Sequence, residues 1–271
     1  MVQYLWLVPV GFIIGGYGTL IGAGGGFVLM PLLLLLYPQD TPETLTSISL
    51  AVVFFNALSG SVAYARAKRI DYHSGVTFSI ATIPGAILGA LTTSYISRHL
   101  FDLMIGLLML AGSAFLFWRP RGSEVGTDRD PARYFPRHVV EADGTHHDFS
   151  YNRTLGVGLS LFVGYISSLL GIGGGFIHVP ALVHLLNFPV HIATATSQFI
   201  LAIMAITGSA THIVTGAFHH GVRRTITLSI GVVVGAQLGA LISGRIHGDW
   251  IIRSLALALA FVGVRLIVMA L

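Results

Sequence analysis

The stretch Gly15-Gly16-Tyr17-Gly18-Thr19-Leu20-Ile21-Gly22-Ala23-Gly24-Gly25-Gly26-Phe27-Val28-Leu29-Met30-Pro31 decides the fold, because a second version occurs halfway along the chain. That version runs Gly164-Tyr165-Ile166-Ser167-Ser168-Leu169-Leu170-Gly171-Ile172-Gly173-Gly174-Gly175-Phe176-Ile177-His178-Val179-Pro180. The two Gly-x-Gly-Gly-Gly-Phe segments start 171 − 22 = 149 positions apart, and at that offset Leu20, Gly22, Gly24, Gly25, Gly26, Phe27 and Pro31 each meet the same residue type. A spacing of about half the chain reads as duplication.

Composition sets the solvent. Charged residues are 10% of the chain against 54% hydrophobic, with a mean hydropathy of +0.80. An ordinary soluble surface needs about a quarter charged residues. The chain therefore reads as an integral membrane protein in a lipid bilayer. Its apolar runs are long enough to cross a hydrocarbon layer of about 30 Å as helices of roughly 20 residues, and the two-residue alternation of a membrane barrel is absent. The net charge of +4 lies in connecting segments and reflects loop bias, so no nucleic-acid partner is implied. With 0 cysteines, disulfides and thiolate metal sites are excluded. The N-terminus lacks a basic n-region and a clear cleavage site, and is read as retained.

The expected fold class is an all-α membrane protein of two homologous halves, each of about four transmembrane helices, the first broken at its glycine motif. The first half is residues 1–118: a broken run over 4–37, then crossings near 45–65, 74–96 and 100–118. Residues 119–153 are hydrophilic, with six arginines against six acids, and read as a mobile cytoplasmic linker. Its His146-His147 pair lacks a third ligand pattern, so no metal is expected. The second half, 154–271, repeats the plan with a broken run over 154–186 and crossings near 192–214, 225–244 and 250–271.

Topology turns on the basic clusters Arg66-Ala67-Lys68-Arg69 and Arg223-Arg224. If each broken run crosses once, both clusters share a side and the halves are parallel, which satisfies the positive-inside rule and is the favoured arrangement. If each run dips in and returns, the halves are inverted. Transporters use such repeats often enough to keep this open.

Four glycines in five positions do not hold a regular helix, and unpaired backbone at membrane depth survives only inside protein or beside a water-filled cavity. Helices starting near Phe27 and Phe176 would aim free N–H groups inward, which lets a protein with almost no buried charge hold an anion. Candidate substrate-binding residues are therefore Gly22, Gly24, Gly25, Gly26 and Phe27 with Gly171, Gly173, Gly174, Gly175 and Phe176. Thr46 and Ser47, set against Thr196 and Ser197 with Gln198 beside them, could donate to the anion or cap their helices. Asn56, Ser59, Ser61, Thr207, Ser209 and Gln237 read as interhelical hydrogen-bond partners. His178 is a candidate proton relay, although its first-half counterpart is Leu29.

The two glycine motifs, the segment Arg69-Ile70-Asp71-Tyr72 and the pattern Pro84-Gly85-x-x-x-Gly89-Ala90 together resemble the TauE/SafE family of sulfite and organosulfur anion exporters. The resemblance covers both halves and leaves out the central loop. It implies a multi-pass protein of the bacterial inner membrane whose substrate is a small sulfur-containing anion, sulfite or an organosulfonate, and which needs no cofactor. The expected function is secondary transport, with a passive channel or an intramembrane enzyme as the competing classes. The chain carries no Gly-x-Ser-x-Gly, no His-Glu-x-x-His and no paired carboxylates within a crossing, so no enzyme is expected.

Overall fold

A computed structural model describes residues 4–118, 134–218, 221–243 and 248–270. The start of the central loop, 119–133, and the His219-His220 turn lie outside the described residues. Ten helices and one hairpin are described: α1 (Leu7–Ile21), α2 (Gly26–Leu36), α3 (Pro42–Arg66), α4 (Tyr72–Thr93), α5 (Arg98–Trp118), β1 (Tyr134–Val140), β2 (His146–Asn152), α6 (Arg153–Leu170), α7 (Gly175–His184), α8 (Val190–Val214), α9 (Val222–Ser243) and α10 (Gly248–Ala270). Side-chain caps start two of them. Thr41 Oγ1 accepts from the Thr44 N–H at 3.3 Å ahead of Pro42 and Glu43, and Asn152 accepts from the Leu155 N–H at 3.1 Å.

Among the described residues α3, α4, α6, α8 and α9 are each long and apolar enough to cross a membrane. Ile80, Leu88, Phe162, Ile230 and Leu241 stand exposed on the outer faces of this group, an apolar exterior suited to lipid. α3 and α8 are the most enclosed and cross antiparallel, since Gly60 of α3 lies against Gln198 and Gly208 of α8 against Leu50. α1 runs along α9 in the same direction, with Gly11 on Leu228, Gly15 on Val232 and Gly239 on Gly16. α6 runs along α4 in the same way, with Gly164 on Thr82 and Gly89 on Tyr165 and Leu169. The contacts are backbone to backbone, because small residues spaced four apart let helices approach where lipid supplies no hydrophobic drive. α5 and α10 pair antiparallel, Ser113 Oγ donating to the Ala256 carbonyl at 2.9 Å.

The chain doubles back after α1. Arg98, opening α5, donates to the carbonyls of Leu34 (3.0 Å) and Asp40 (2.8 Å) beyond α2. Arg224, opening α9, pairs with Asp40 and lies 3.7 Å over the Tyr37 ring. Because α9 starts beside the start of α1, α2 ends where α1 began. α6 and α7 repeat this at the other end, where Phe188 beyond α7 packs on Phe149 of β2, the strand that runs into α6, at 4.4 Å. The basic clusters Arg66–Arg69 and Arg223-Arg224 consequently sit at opposite ends of the bundle, contrary to the favoured parallel expectation. The charge rule missed this because both ends carry arginines, and those at Arg98 and Arg224 are engaged in holding α2.

The fold is mostly helical but not all-α, because the later part of the central loop is an ordered hairpin. β1 and β2 pair antiparallel from Tyr134↔Asn152 to Val140↔His146. Their aromatic face packs on the bundle, with Tyr151 fully buried against Phe78 at 5.5 Å. Arg137 forks onto Asp71, Nη2 donating to Oδ1 at 2.6 Å and Nε to Oδ2 at 3.0 Å. Arg69 pairs with Glu141 at 2.5 Å, and the Ala142 N–H donates to the Ala67 carbonyl at 3.0 Å. Of the loop charges that read as a solvated linker, Arg137 and Glu141 are instead partners of the α3–α4 turn.

The Asp71 side chain is 0% exposed, so removing Arg137 alone leaves a carboxylate buried without its cation. Arg137→Met should lower unfolding stability by about 3 kcal/mol, while adding Asp71→Asn should recover most of it, since the pair is then neutral. Melting of the purified single and double variants checks this. Equal melting for the two would refute it.

Candidate functional site

α1 ends because Gly22 turns left-handed at φ +78°, a conformation that side chains resist. The Gly22 N–H donates to the Thr19 carbonyl at 3.0 Å and the Ala23 N–H to the Gly18 carbonyl at 2.8 Å, the paired 5→2 and 6→1 bonds of a Schellman end. Gly24 and Gly25 stay at positive φ, and α2 starts at Gly26. In the second motif Gly171 and Gly173 are left-handed at +65° and +72°, but Gly174 is helical at φ −70°. The N–H groups of Gly26 and Phe27, and of Gly175 and Phe176, have no acceptor among the described residues. Pro31 and Pro180 lie four residues past Phe27 and Phe176 and, lacking an N–H, leave those two carbonyls without helical donors. Both phenylalanines are buried.

The two interruptions touch. A Cβ built on Gly26 would fall 2.4 Å from the Ile172 carbonyl oxygen, and one on Gly175 would fall 2.2 Å from that of Gly22. Val53, at the middle of α3, lies against both Gly24 and Gly173, and Leu201, at the middle of α8, against Gly24. No side chain fits between these loops, so a ligand held by the free N–H groups lies beside the contact and not between the loops.

Two serines complete the ends of α1 and α6. Ser197 Oγ donates to the Gly22 carbonyl at 3.1 Å and Ser49 Oγ to the Gly171 carbonyl at 2.5 Å. Thr194 packs on Gly22 and Thr46 on Gly171, with Thr46 Oγ1 buried and unpaired. The matching register is thus 194 − 46 = 148, pairing Thr46-x-x-Ser49 with Thr194-x-x-Ser197 and Gly60-Ser61 with Gly208-Ser209. Matching Thr46-Ser47 to Thr196-Ser197 was two residues out. Ser47 donates within its own helix to Thr44 O at 2.7 Å, and Thr196 Oγ1 accepts from the Asp71 N–H at 3.0 Å near the hairpin, so neither reaches the interruptions. Ser49 and Thr194 were missed, although the repeated Gly-Ser pair carried the correct offset.

Gln198 does reach the first interruption, Nε2 donating to the Gly18 carbonyl at 3.4 Å. Beside it Thr19 Oγ1 donates to Asn56 Oδ1 at 2.9 Å, and the Tyr64 hydroxyl donates to the Thr19 carbonyl at 2.8 Å. Gln237 and Ser59 act as interhelical partners, Nε2 donating to the Ser59 carbonyl at 2.7 Å. His178 is buried, with Nε2 at 3.4 Å from Ser160 Oγ, and among the described residues no acid or second histidine is bonded to it to form a relay. On the hairpin His147 Nε2 meets Glu141 Oε1 at 2.8 Å, and His138 lies between Asp148 and His146.

Comparison with known proteins places the chain among membrane transporters. The sequence model of the family described as "Sulfite exporter TauE/SafE" matches residues 7–266. The probable membrane transporter protein YunE of Bacillus subtilis strain 168 is 31% identical over 271 residues, covering 98% of this chain and 97% of its own. A probable membrane transporter protein of Methanocaldococcus jannaschii is 22% identical over 260 residues, covering 90% of this chain and 89% of its own. One from Xylella fastidiosa strain Temecula1 is 27% identical over 243 residues, covering 89% and 83%. No solved structure matches. With a family match that takes in both glycine motifs and all but the last turn of the described helices, this chain belongs to the sulfite exporter TauE/SafE family of membrane transporters.

Proposed function

We propose that the protein is a secondary transporter that exports a small sulfur-containing oxyanion, sulfite or an organosulfonate, across the bacterial inner membrane, driven by an ion gradient or the membrane potential. The observation that carries this reading is the pair of helix starts at Gly26 and Gly175, whose N–H groups lack acceptors beside the midpoints of α3 and α8. Among the described residues the only buried charged side chains are Asp71 and Glu141, both acidic and both at the hairpin end. Positive character at the centre therefore comes from backbone dipoles, which attract an anion without the cost of burying a cation.

On this reading the chain is two inverted halves, residues 1–118 and 154–271, related by an axis in the membrane plane. Exchanging α1–α5 for α6–α10 maps the α1–α9 pair onto α6–α4 and reverses α3 onto α8, which an axis along the membrane normal cannot do. Each half then supplies one dipping pair, α1–α2 or α6–α7, and three full crossings. Among the described residues Arg66, Lys68, Arg69, Arg137 and Arg153 gather at the hairpin end, against Arg98, Arg223 and Arg224 at the other. The hairpin end is cytoplasmic by the positive-inside rule.

Single cysteines replacing the exposed Lys68 and Arg223 should react with an impermeant thiol reagent from opposite faces of the membrane. Labelling of both from one face would remove the inverted arrangement.

The glycines give the functional test. Ala at Gly174 keeps an ordinary φ and meets only movable side-chain atoms of Val163, Met204 and Ser167 at 3.1 to 3.2 Å. Gly174→Ala should melt near wild type yet bind sulfite about tenfold more weakly, a loss of roughly 1.4 kcal/mol. Gly25→Ala adds strain at φ +74° and a contact with Ile14, so both binding and stability should fall. Gly231→Ala, whose Cβ would lie 2.1 Å from Val8 O, should lose stability while the folded fraction binds normally. Unchanged sulfite affinity in Gly174→Ala would exclude the α7 start from the site.

A further inference from the structure

The pseudo-symmetry makes two equivalent niches, one beside each interruption, and the sequence makes them chemically different. The first is built around Gly60 from Thr19, Asn56 and Gln198, with a Cβ on Gly60 lying 3.2 Å from Thr19 Oγ1 and 3.4 Å from Gln198 Cδ. The second is built around Gly208, where a Cβ would lie 2.5 Å from Ser168 Oγ and 2.8 Å from Leu50 Cδ1. In the 148 register Asn56 corresponds to Met204 and Gln198 to Leu50, and Thr19 corresponds to Ser168 in the 149 register of the helices that bear them. One niche is lined by two amides; the other presents Leu50 and a single hydroxyl, Ser168 Oγ, which is also buried without a partner.

The amides are not satisfied by the protein. Asn56 and Gln198 are both 0% exposed, yet Asn56 Nδ2 and Gln198 Oε1 lack hydrogen-bond partners. Their other ends are fixed: Asn56 Oδ1 accepts from Thr19, and Gln198 Nε2 donates to the Gly18 carbonyl that also closes α1. Those bonds set which atoms remain free, a two-proton donor and an acceptor. Buried polar atoms left this way mark a place for something absent from the protein itself.

We propose that Thr19, Asn56 and Gln198 form the specificity site for the transported anion, that the protein has one such site and not a symmetric pair, and that it selects an oxyanion carrying one proton. This inference rests on the anion-transport reading. The Asn56 amide donates to a bare oxygen of the substrate, and Gln198 Oε1 accepts from its protonated oxygen. A fully ionised dianion offers Gln198 no proton and brings a second charge into a centre with no cationic side chain. A sulfonate without a hydroxyl also leaves Gln198 unpaired, and sites built to bond a hydroxyl discriminate strongly against analogues lacking it.

The test uses purified full-length protein, titrated with sulfite at slightly acid pH, where it keeps one proton, and with methanesulfonate, which has none to donate. Wild type should bind sulfite at least about tenfold more tightly than methanesulfonate, and Gln198→Leu should cut that preference below about threefold. Asn56→Met, importing the residue of the second niche, should weaken sulfite binding by about tenfold or more, read on the folded fraction because the Thr19 hydroxyl also loses its acceptor. Thr19→Val should weaken binding severalfold, whereas Ser168→Ala should not. Wild-type affinity in Asn56→Met would show that the niche holds water only and would overturn the proposal, as would equal losses in Thr19→Val and Ser168→Ala. Wild type that binds neither anion would instead bring down the transport reading itself.

Discussion

The structure depends on how a polypeptide stops being helical inside a hydrophobic slab. Each N–H and C=O released by the stop must find a partner, because lipid offers none and an orphan costs several kcal/mol there. The first interruption meets this in three ways: the Schellman bonds onto Thr19 and Gly18, the Ser197 hydroxyl on the Gly22 carbonyl, and the Gln198 amide on Gly18. The second relies on Ser49 in place of some of those bonds. The starts of α2 and α7 retain free donors.

Packing of the remaining helices follows from keeping those interruptions together. α3 and α8 are polar for central membrane helices because they supply Ser49, Thr46, Ser197 and Gln198 to the other half's interruption. Val53 presses on glycines from both motifs. The glycine-spaced seams along α1–α9 and α4–α6 then join the halves at their flanks, where Gly15 and Val232, or Gly164 and Thr82, meet backbone to backbone. Among the described residues ion pairs lie at the ends, with Arg224 on Asp40 at one and Arg137 on Asp71 and Arg69 on Glu141 at the other.

Much of this was legible in the residues. The duplicated glycines fall where α1 and α6 end, and the apolar runs match the long helices to within a few residues. The direction of travel after each interruption was not legible, because a glycine cluster ends a helix without stating where the next one points; that depends on Arg98 and Arg224 reaching Asp40 from distant helices. The register of α3 on α8 was misread because the offset is not constant. It is 149 at the glycines, 148 after α2 because that helix has one residue more than α7, and 150 after the longer α8–α9 turn. The hairpin was hidden because its polar face and its partners read as a solvated loop. Asn56 read as an ordinary interhelical partner, and only the direction of the Thr19 bond shows which end of its amide is left over.

The seam between α1 and α9 has a consequence for how the protein is made. Gly11 rests on Leu228, so the contact that buries the glycine face of α1 closes a separation of 228 − 11 = 217 residues. At roughly 5 to 20 residues per second of synthesis, about 10 to 40 s pass between the emergence of the two partners. Throughout that interval the first helix is in the bilayer with its closest-packing face open to lipid and to any other glycine-spaced helix nearby. The second seam closes much sooner, since Thr82 and Gly164 are fewer than half as many residues apart. Assembly thus has a built-in order: α4 with α6 first, α1 with α9 well after, and α5 with α10 once the final helix has emerged.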